Sequence, residues 1–340
     1  MTHPPVDRIV VFSPNWLGDA VMALPALADV RRHFAASRLL VAARRSVAPL
    51  FTMVPAVDEV LTLPGRGGLA AVGTWRDDVA AVAAGGFDLA LLFPNSFASA
   101  LVASRAGIAQ RWGLATDARR RLLTRWAAKP PGGLHQAAYY QALVGAFGLA
   151  NGPAHACVEV PASVAAPAPD GPFVVLAPGA AYGKAKQWPE ARFAELAVLL
   201  RARGRSVVLV GSLADQPTTA AIASAAGAGG LPPLVDLAGR TSLAELAALC
   251  ARAEAVVSND SGAMHLAGAA GARVVAIFGA TDEHRTSPLT RGPDADPPRI
   301  VTAEAWCRPC MLRECPIDHR CMTGVSARAV LEAIGRAGRA

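Results

Sequence analysis

No apolar run in this 340-residue chain is long enough to cross a bilayer. The most apolar stretches, Val207 to Val210 and Arg273 to Phe278, fall far short of the roughly 20 residues that a spanning helix needs. The start, Met1 to Asp7, also lacks the features of a secretory leader. Its first apolar run, Ile9-Val10-Val11-Phe12, is four residues long and is not followed by a cleavage-type continuation. A cytoplasmic protein without a transmembrane segment is expected. Aromatic residues make up only 6% of the chain, and no basic stripe is interleaved with them, which excludes nucleic acid as the expected partner. There is no G-x-G-x-x-G after the first strand and no G-x-x-x-x-G-K-[ST], so neither the usual NAD grip nor a P-loop ATPase is supported. The first loop offers no cysteine or serine–histidine pair that can be placed in a nucleophilic triad. Cysteine itself is sparse, at six residues, with Cys157 and Cys250 isolated.

The chain is 53% hydrophobic, with a mean hydropathy of +0.32, much of it alanine in helical stretches. That suffices for two domains with cores of their own. Lys and Arg number 33 against 26 Asp and Glu, a formal charge of +7. Such a balance suits an anionic substrate or an anionic membrane surface, and equally a soluble surface in an alanine- and arginine-rich chain. One basic concentration stands out, Arg119-Arg120-Arg121 with Arg125 and Lys129. It reads either as a contact for acidic groups of a substrate or as a solvated face.

The stretch Ser13-Pro14-Asn15-Trp16-Leu17-Gly18-Asp19-Ala20-Val21 follows the first apolar run and precedes a helical pattern over Asp19 to Arg32. Strand, glycine turn and helix start in that order present free backbone N–H groups at the tip of a buried strand. The tip also carries a carboxylate, Asp19. Phosphate would be repelled there, whereas a general base for a hydroxyl group would be well placed. Strands are expected at 39–42, 57–61 and 87–92, with a helix over 69–84 between the last two. Alternation of strands and helices points to βαβ units and a mainly parallel sheet, whose ligands sit at the C-terminal strand ends. Asn95 and Ser96 lie at such an end, as substrate contacts or as helix caps. His135 opens a later helix and reads as a cap or surface residue.

Asn151 to Pro172 is rich in Pro and Ala and weakly patterned, so a linker is placed at 161–172, between domains at 1–160 and 173–340. The strand–loop–helix pattern then restarts. Phe173 to Ala177 leads into a glycine-containing loop with Lys184 and Lys186, then Trp188-Pro189 and a helix. Lys186 reads as a phosphate partner or as a surface lysine. Strands at 206–210 and 234–237 follow, and Ser242 with Glu245 has capping-box spacing. Ala255 to Ser258 ends in Asn259-Asp260-Ser261-Gly262-Ala263-Met264-His265. Asp260 is suited to accept sugar hydroxyls, and Ser261 and Gly262 form a helix start suited to an anion. His265 faces either a ligand or a neighbouring helix. A further strand over 273–278 ends in Gly279-Ala280-Thr281-Asp282.

Five stretches in order carry a family resemblance: Pro14 to Met22, Gly179 to Pro189, Leu237 to Leu243, Ser258 to His265 and Phe278 to Thr281. Together they resemble the bacterial lipopolysaccharide heptosyltransferases, across essentially the whole chain. The resemblance implies an α/β fold of the GT-B class, with two Rossmann-like domains and parallel sheets facing a central cleft. It implies transfer of heptose from ADP-heptose to the lipopolysaccharide inner core, with inversion and with no metal or other cofactor required. On this resemblance 1–160 is the acceptor side, with Asn15, Gly18 and Asn95, and Asp19 is the general base. The second domain binds ADP-heptose: Lys186 meets the donor phosphates and Asp260 the donor sugars, with Ser261, Gly262, His265 and Thr281 on the same side. Asp215 keeps the family's acidic position in its loop, but Pro217 replaces the usual glutamate. The partners so implied are a nucleotide sugar and an anionic lipopolysaccharide precursor, met at the inner face of the inner membrane.

Cys307, Cys310, Cys315 and Cys321 cluster near the end, at gaps of two, four and five residues, with His319 among them. Thiolates at this spacing can wrap a tetrahedral zinc or an iron centre of structural kind, and reduced thiols in a Pro-containing loop are the alternative. A closing helix is expected over Val325 to Arg336.

Overall fold

The computed structural model describes residues 6–65, 71–227 and 230–335. The chain divides into two compact units, Met1–Glu159 and Val160–Ala340. In the first, the strands are β1 (Arg8–Phe12), β2 (Arg38–Arg44), β3 (Glu59–Leu63), β4 (Leu89–Leu92), β5 (Gln110–Leu114) and β6 (Arg125–Ala127). They form one parallel sheet in the order β3-β2-β1-β4-β5-β6. Helices α1 (Leu17–Met22), α2 (Leu24–His33), α3 (Ala48–Phe51), α4 (Ala71–Ala83), α5 (Phe97–Arg105) and α6 (Gln136–Gly145) connect and cover it. Ile9, Val10, Val11 and Phe12 are all buried, as expected for a central parallel strand covered on both faces.

The second unit repeats this plan. Its strands are β7 (Phe173–Ala177), β8 (Ser206–Leu209), β9 (Leu234–Asp236), β10 (Ala255–Asn259), β11 (Val274–Phe278) and β12 (Arg299–Thr302). The order is β12-β11-β10-β7-β8-β9, again all parallel. The helices are α7 (Glu190–Arg201), α8 (Gln216–Ala225), α9 (Leu243–Arg252), α10 (Gly262–Ala269), α11 (Glu283–Thr286), α12 (Arg320–Thr323) and α13 (Ala327–Gly335). Counted within each unit, both sheets have the doubly wound order 3-2-1-4-5-6. Each therefore has one switch point, β1/β4 in the first and β7/β10 in the second. There, loops leave neighbouring strands in opposite directions and open a crevice at the carboxyl ends.

Local chemistry explains where the expected boundaries shift. The helix expected over Asp19 to Arg32 is two helices, broken at Ala23. Pro25 has no N–H to continue the ladder, but it fits the first turn of the new helix. Leu69 and Arg336, the outer ends of two expected helices, lie outside the described residues. Strands β6 and β12 were not anticipated. Both are sheet edges, half-buried and with arginine at their first position, so they lack the apolar run that marks a central strand. Among the described residues no helix is long and apolar enough to cross a membrane.

Candidate functional site

In the second unit, three strand-end loops meet on one carboxylate. Asp260 follows β10 and is 5% exposed. Its Oδ2 accepts from Lys186 Nζ at 2.6 Å and from Thr281 Oγ1 at 2.7 Å. Lys186 comes from the loop after β7 and Thr281 from the loop after β11. The Lys186 ammonium also lies 4.7 Å from the centre of the Tyr182 ring, a cation–π contact. A lysine at the switch point is thus held in place by a buried partner instead of trailing into solvent.

The residue before Asp260 fixes the loop that carries Lys186. Asn259 is fully buried; its Nδ2 donates to the Pro178 carbonyl at 2.6 Å, and its Oδ1 accepts from the Trp188 N–H at 3.0 Å. Trp188 is itself a core anchor. Its indole N–H donates to the Val325 carbonyl at 2.9 Å, and its ring meets Phe193 edge-on at 4.8 Å. Truncating a buried aromatic of this kind typically costs about 3–5 kcal/mol. The loop between Pro178 and Trp188 is therefore tied at both ends to β10 and the core.

The remaining second-unit residues fall into distinct settings. Ser261 precedes α10, and its hydroxyl lies 3.1 Å from that of Ser258. Gly262 is the first residue of α10, and His265 is buried within it. Asp215 caps its own loop: its Oδ2 accepts from the Ser212 N–H and hydroxyl, each at 2.7 Å. The same carboxylate packs over Gly179 and Gly211, where a Cβ on either glycine would strike it. Pro217 occupies the first turn of α8.

In the first unit, Asp19 lies in the first turn of α1 after β1, part-exposed, with exposed Asn15 and part-exposed Gly18 nearby. Asn95, after β4, shares the switch point; its Nδ2 donates to the Tyr139 hydroxyl at 2.8 Å. Tyr140, the next residue of α6, stacks on Phe93 at 5.5 Å. Burial, followed by the Asp19 charge, raises its phenol well above the ordinary range. Tyr140 is a neutral neighbour for Asp19 at any working pH.

Ser96 caps α5 and His135 caps α6, the latter through Nδ1 and the Ala137 N–H at 3.2 Å. Arg119 is not a solvated charge. It is fully buried and donates to the carbonyls of Leu114, Pro94 and Ser96 and to the Ser99 hydroxyl. It thereby holds the loop that presents Asn95. Burial lowers its pKa from the ordinary arginine value. Asn259, Tyr139 and Arg119 were missed as site-shaping residues. For Asn259 the signal was a polar side chain at the end of an otherwise apolar strand.

The four clustered cysteines are free thiols; Cys321 is buried on α12, and the others are half-buried. Burial first, then the neighbouring Cys307, Cys310 and Cys315, raises the Cys321 thiol above its ordinary value. Among the described residues, however, no three His, Cys, Asp or Glu side chains converge as a metal-ligand set. The zinc or iron centre considered from the spacing has no support in this side-chain arrangement.

The protein thus consists of two doubly wound α/β units, each with polar residues gathered at its switch point. The family model for glycosyltransferase family 9 (heptosyltransferase) matches residues 79–320, and the chain belongs to that family. It is 30% identical to lipopolysaccharide heptosyltransferase 2 of Escherichia coli K12 over 303 residues, 83% of this chain and 86% of that protein. It is 27% identical to lipopolysaccharide heptosyltransferase 1 of Pseudomonas aeruginosa over 331 residues, 91% of this chain and 87% of that protein. The solved structure of E. coli ADP-heptose lipopolysaccharide heptosyltransferase II matches with a TM-score of 0.81 at 26% identity, covering 96% of this chain and 97% of that one. The fold class is accordingly the α/β GT-B class, and the protein is a glycosyltransferase.

Proposed function

We propose that this enzyme transfers L-glycero-D-manno-heptose from its ADP-linked form to the heptose of the lipopolysaccharide inner core, inverting the anomeric carbon. The observation that carries the reading is the Lys186–Asp260–Thr281 cluster at the switch point of a family member whose relatives bear that name. Asp19 takes the proton of the acceptor hydroxyl. That oxygen forms the new bond to the anomeric carbon as the bond to the β-phosphate oxygen breaks. ADP leaves with the bonding electron pair, and the Lys186 ammonium offsets its growing negative charge. Ser261, Gly262 and His265 belong to the donor side, as does Asp215, whose carboxylate acts chiefly by shaping the loop against Gly179. Asn15, Gly18 and Asn95 contact the acceptor. No cofactor takes part. The acceptor is lipid-linked, so the enzyme works as a peripheral protein at the cytoplasmic face of the inner membrane. The greater identity to heptosyltransferase 2 than to heptosyltransferase 1 favours the second transfer over the first.

The test is a transfer assay with ADP-heptose and purified acceptors ending before and after the first heptose. Product is expected only on the acceptor that already carries heptose. Asp19→Asn should lower kcat by roughly 10²–10⁴-fold, the usual worth of a positioned general base, with ADP affinity retained. A near-wild-type rate in Asp19→Asn would remove Asp19 from the reaction, and product on neither acceptor would remove the assigned substrate.

A further inference from the structure

The cysteine-bearing segment before α12 has a role in its backbone contacts that its thiols do not account for. It lies against the loop carrying Lys186 and holds that loop at three places. The Ala185 N–H donates to the Arg313 carbonyl at 2.9 Å. The His319 Nε2–H donates to the Ala185 carbonyl at 2.9 Å. The Tyr182 hydroxyl donates to the Met311 carbonyl, also at 2.9 Å. Between these bonds the two backbones touch, since a Cβ on Gly183 would strike the Arg313 carbonyl. Both backbone polar groups of Ala185, the residue before Lys186, are therefore satisfied by this segment. The segment also reaches the loop that carries Thr281: the Met311 N–H donates to the Ala280 carbonyl at 2.8 Å, and Arg308 Nε donates to the Gly279 carbonyl at 2.8 Å.

We infer that this segment is a brace for the donor-phosphate loop, and that His319 and Tyr182 are positioning residues that act through the Ala185 peptide and the loop backbone to aim the Lys186 ammonium. The inference rests on the proposed function only in taking Lys186 as the group that meets the donor phosphates. His319 suits the task because it is tied into the segment itself. Its backbone, at φ 56°, is in the left-handed region, its N–H meets Cys315 Sγ at 3.3 Å, and its carbonyl accepts from the Met322 N–H at 2.9 Å. The imidazole thus spans from the cysteine turn to the lysine loop. Tyr182 contributes in two separable ways: its ring lies under Lys186, and its hydroxyl ties the loop to Met311. A misplaced charge would weaken binding of a diphosphate and leave acceptor binding alone.

The test compares His319→Ala, His319→Gln and Tyr182→Phe with the wild type. The readouts are ADP affinity by calorimetry, separate KM values for ADP-heptose and for acceptor, and melting temperature. Tyr182→Phe keeps the ring and removes only the hydroxyl. His319→Gln keeps an N–H donor at comparable reach. The expected result is a three- to tenfold loss of ADP affinity in His319→Ala and Tyr182→Phe, the size of a lost loop-fixing hydrogen bond of roughly 1 kcal/mol. Donor KM should rise in parallel, acceptor KM should stay within about twofold, and His319→Gln should recover most of the loss. Unchanged ADP affinity in His319→Ala and Tyr182→Phe would overturn the brace, as would equal shifts in donor and acceptor KM. If the wild type binds ADP but transfers no heptose, the proposed function falls while the ADP arm still decides the brace. A wild type that binds no ADP overturns both.

Discussion

Breaking the Lys186–Asp260 pair from either side should cost unequal amounts, and the inequality can be worked from burial. The pair is 2.6 Å long, with side-chain exposures of 13% for Lys186 and 5% for Asp260. Removing one member of a fully buried pair typically costs about 3–5 kcal/mol, because the other is left charged and dry. Lys186→Met strands the more buried partner, with the Thr281 hydroxyl still donating to it, so a loss near the lower bound, about 3 kcal/mol, is expected. Asp260→Asn strands an ammonium on a flexible stem that can turn toward water. Its cost should be about 1–2 kcal/mol. The double variant leaves no charge unpaired, so the two losses should fall short of adding by about 2 kcal/mol. Hydrogen exchange by mass spectrometry, on peptides covering 174–190 and 255–282, reads local opening free energies without requiring the two units to unfold together. A coupling below about 0.5 kcal/mol would refute the argument that this ion pair closes the loops on one another. The double variant should also regain stability without regaining heptose transfer, as the proposed role of Lys186 requires.

A second stability contribution depends on pH. Arg205 grips Glu254 through two bonds of 2.7 and 2.8 Å, and this pairing holds the carboxyl below its ordinary value of 4.5. A depressed folded-state pKa means stabilisation that is present above 4.5 and lost as pH falls through the lowered value. Both groups are about a third exposed, so Glu254→Gln should destabilise the protein by only about 0.5–1 kcal/mol at neutral pH. The difference from wild type should shrink in urea melts as pH falls through that lowered value, and a difference that stayed at full size once the carboxyl is protonated would disprove the ion-pair origin. Thiol chemistry offers a separate check on the core. Burial pushes the Cys250 thiol up to about 12, whereas Cys157, Cys307, Cys310 and Cys315 are partly exposed. Iodoacetamide at pH ~8 should label those four in the native protein and reach Cys250 only on unfolding, because the thiolate is the reactive form. Native labelling of Cys250 at the rate of Cys157 would contradict its placement.

The central strands were legible because a parallel sheet buried on both faces needs continuous apolar runs, and Ile9 to Phe12 and Phe173 to Ala177 are such runs. The strand-end loops were legible for the complementary reason, since polar residues appear where each run stops. Edge strands such as Arg299–Thr302 were not, because an edge shares its surface with solvent and carries no such signature. The basic stretch misled for a different reason. Arg119 looks like its neighbours in sequence, yet two preceding residues, Asp117 and Ala118, turn through the left-handed region at φ 50° and 54°, and the chain then buries the guanidinium against Pro94 and Ser96. Side-chain direction after such a turn is set by contacts distant in sequence. The cysteine segment was legible only as a cluster of thiols. Its tie to Lys186 runs through the His319 imidazole and through the backbone carbonyls of Met311 and Arg313, and no residue type advertises those carbonyls.

The neighbouring residues Asn259 and Asp260 show why the chemistry of this site cannot be read from polarity alone. Asn259 must donate to the Pro178 carbonyl and accept from the Trp188 N–H within one buried side chain, and an amide does both without charge. An aspartate there would set a carboxylate oxygen against a carbonyl 2.6 Å away and would lose the donor, at a cost of several kcal/mol if it stayed ionised. Asp260 has the opposite requirement. Its partners are an ammonium and a hydroxyl, both donors, so an acceptor-only carboxylate is matched and an amide would turn a donor toward one of them. The order Asn-Asp therefore cannot be inverted, even though the composition would be unchanged. The first residue keeps the β7 loop attached to β10, and the second uses that fixed geometry to hold a lysine charge in a nearly dry setting. A neutral, doubly bonded amide supplies the rigidity, and the adjacent carboxylate supplies the charge balance that holds Lys186 there.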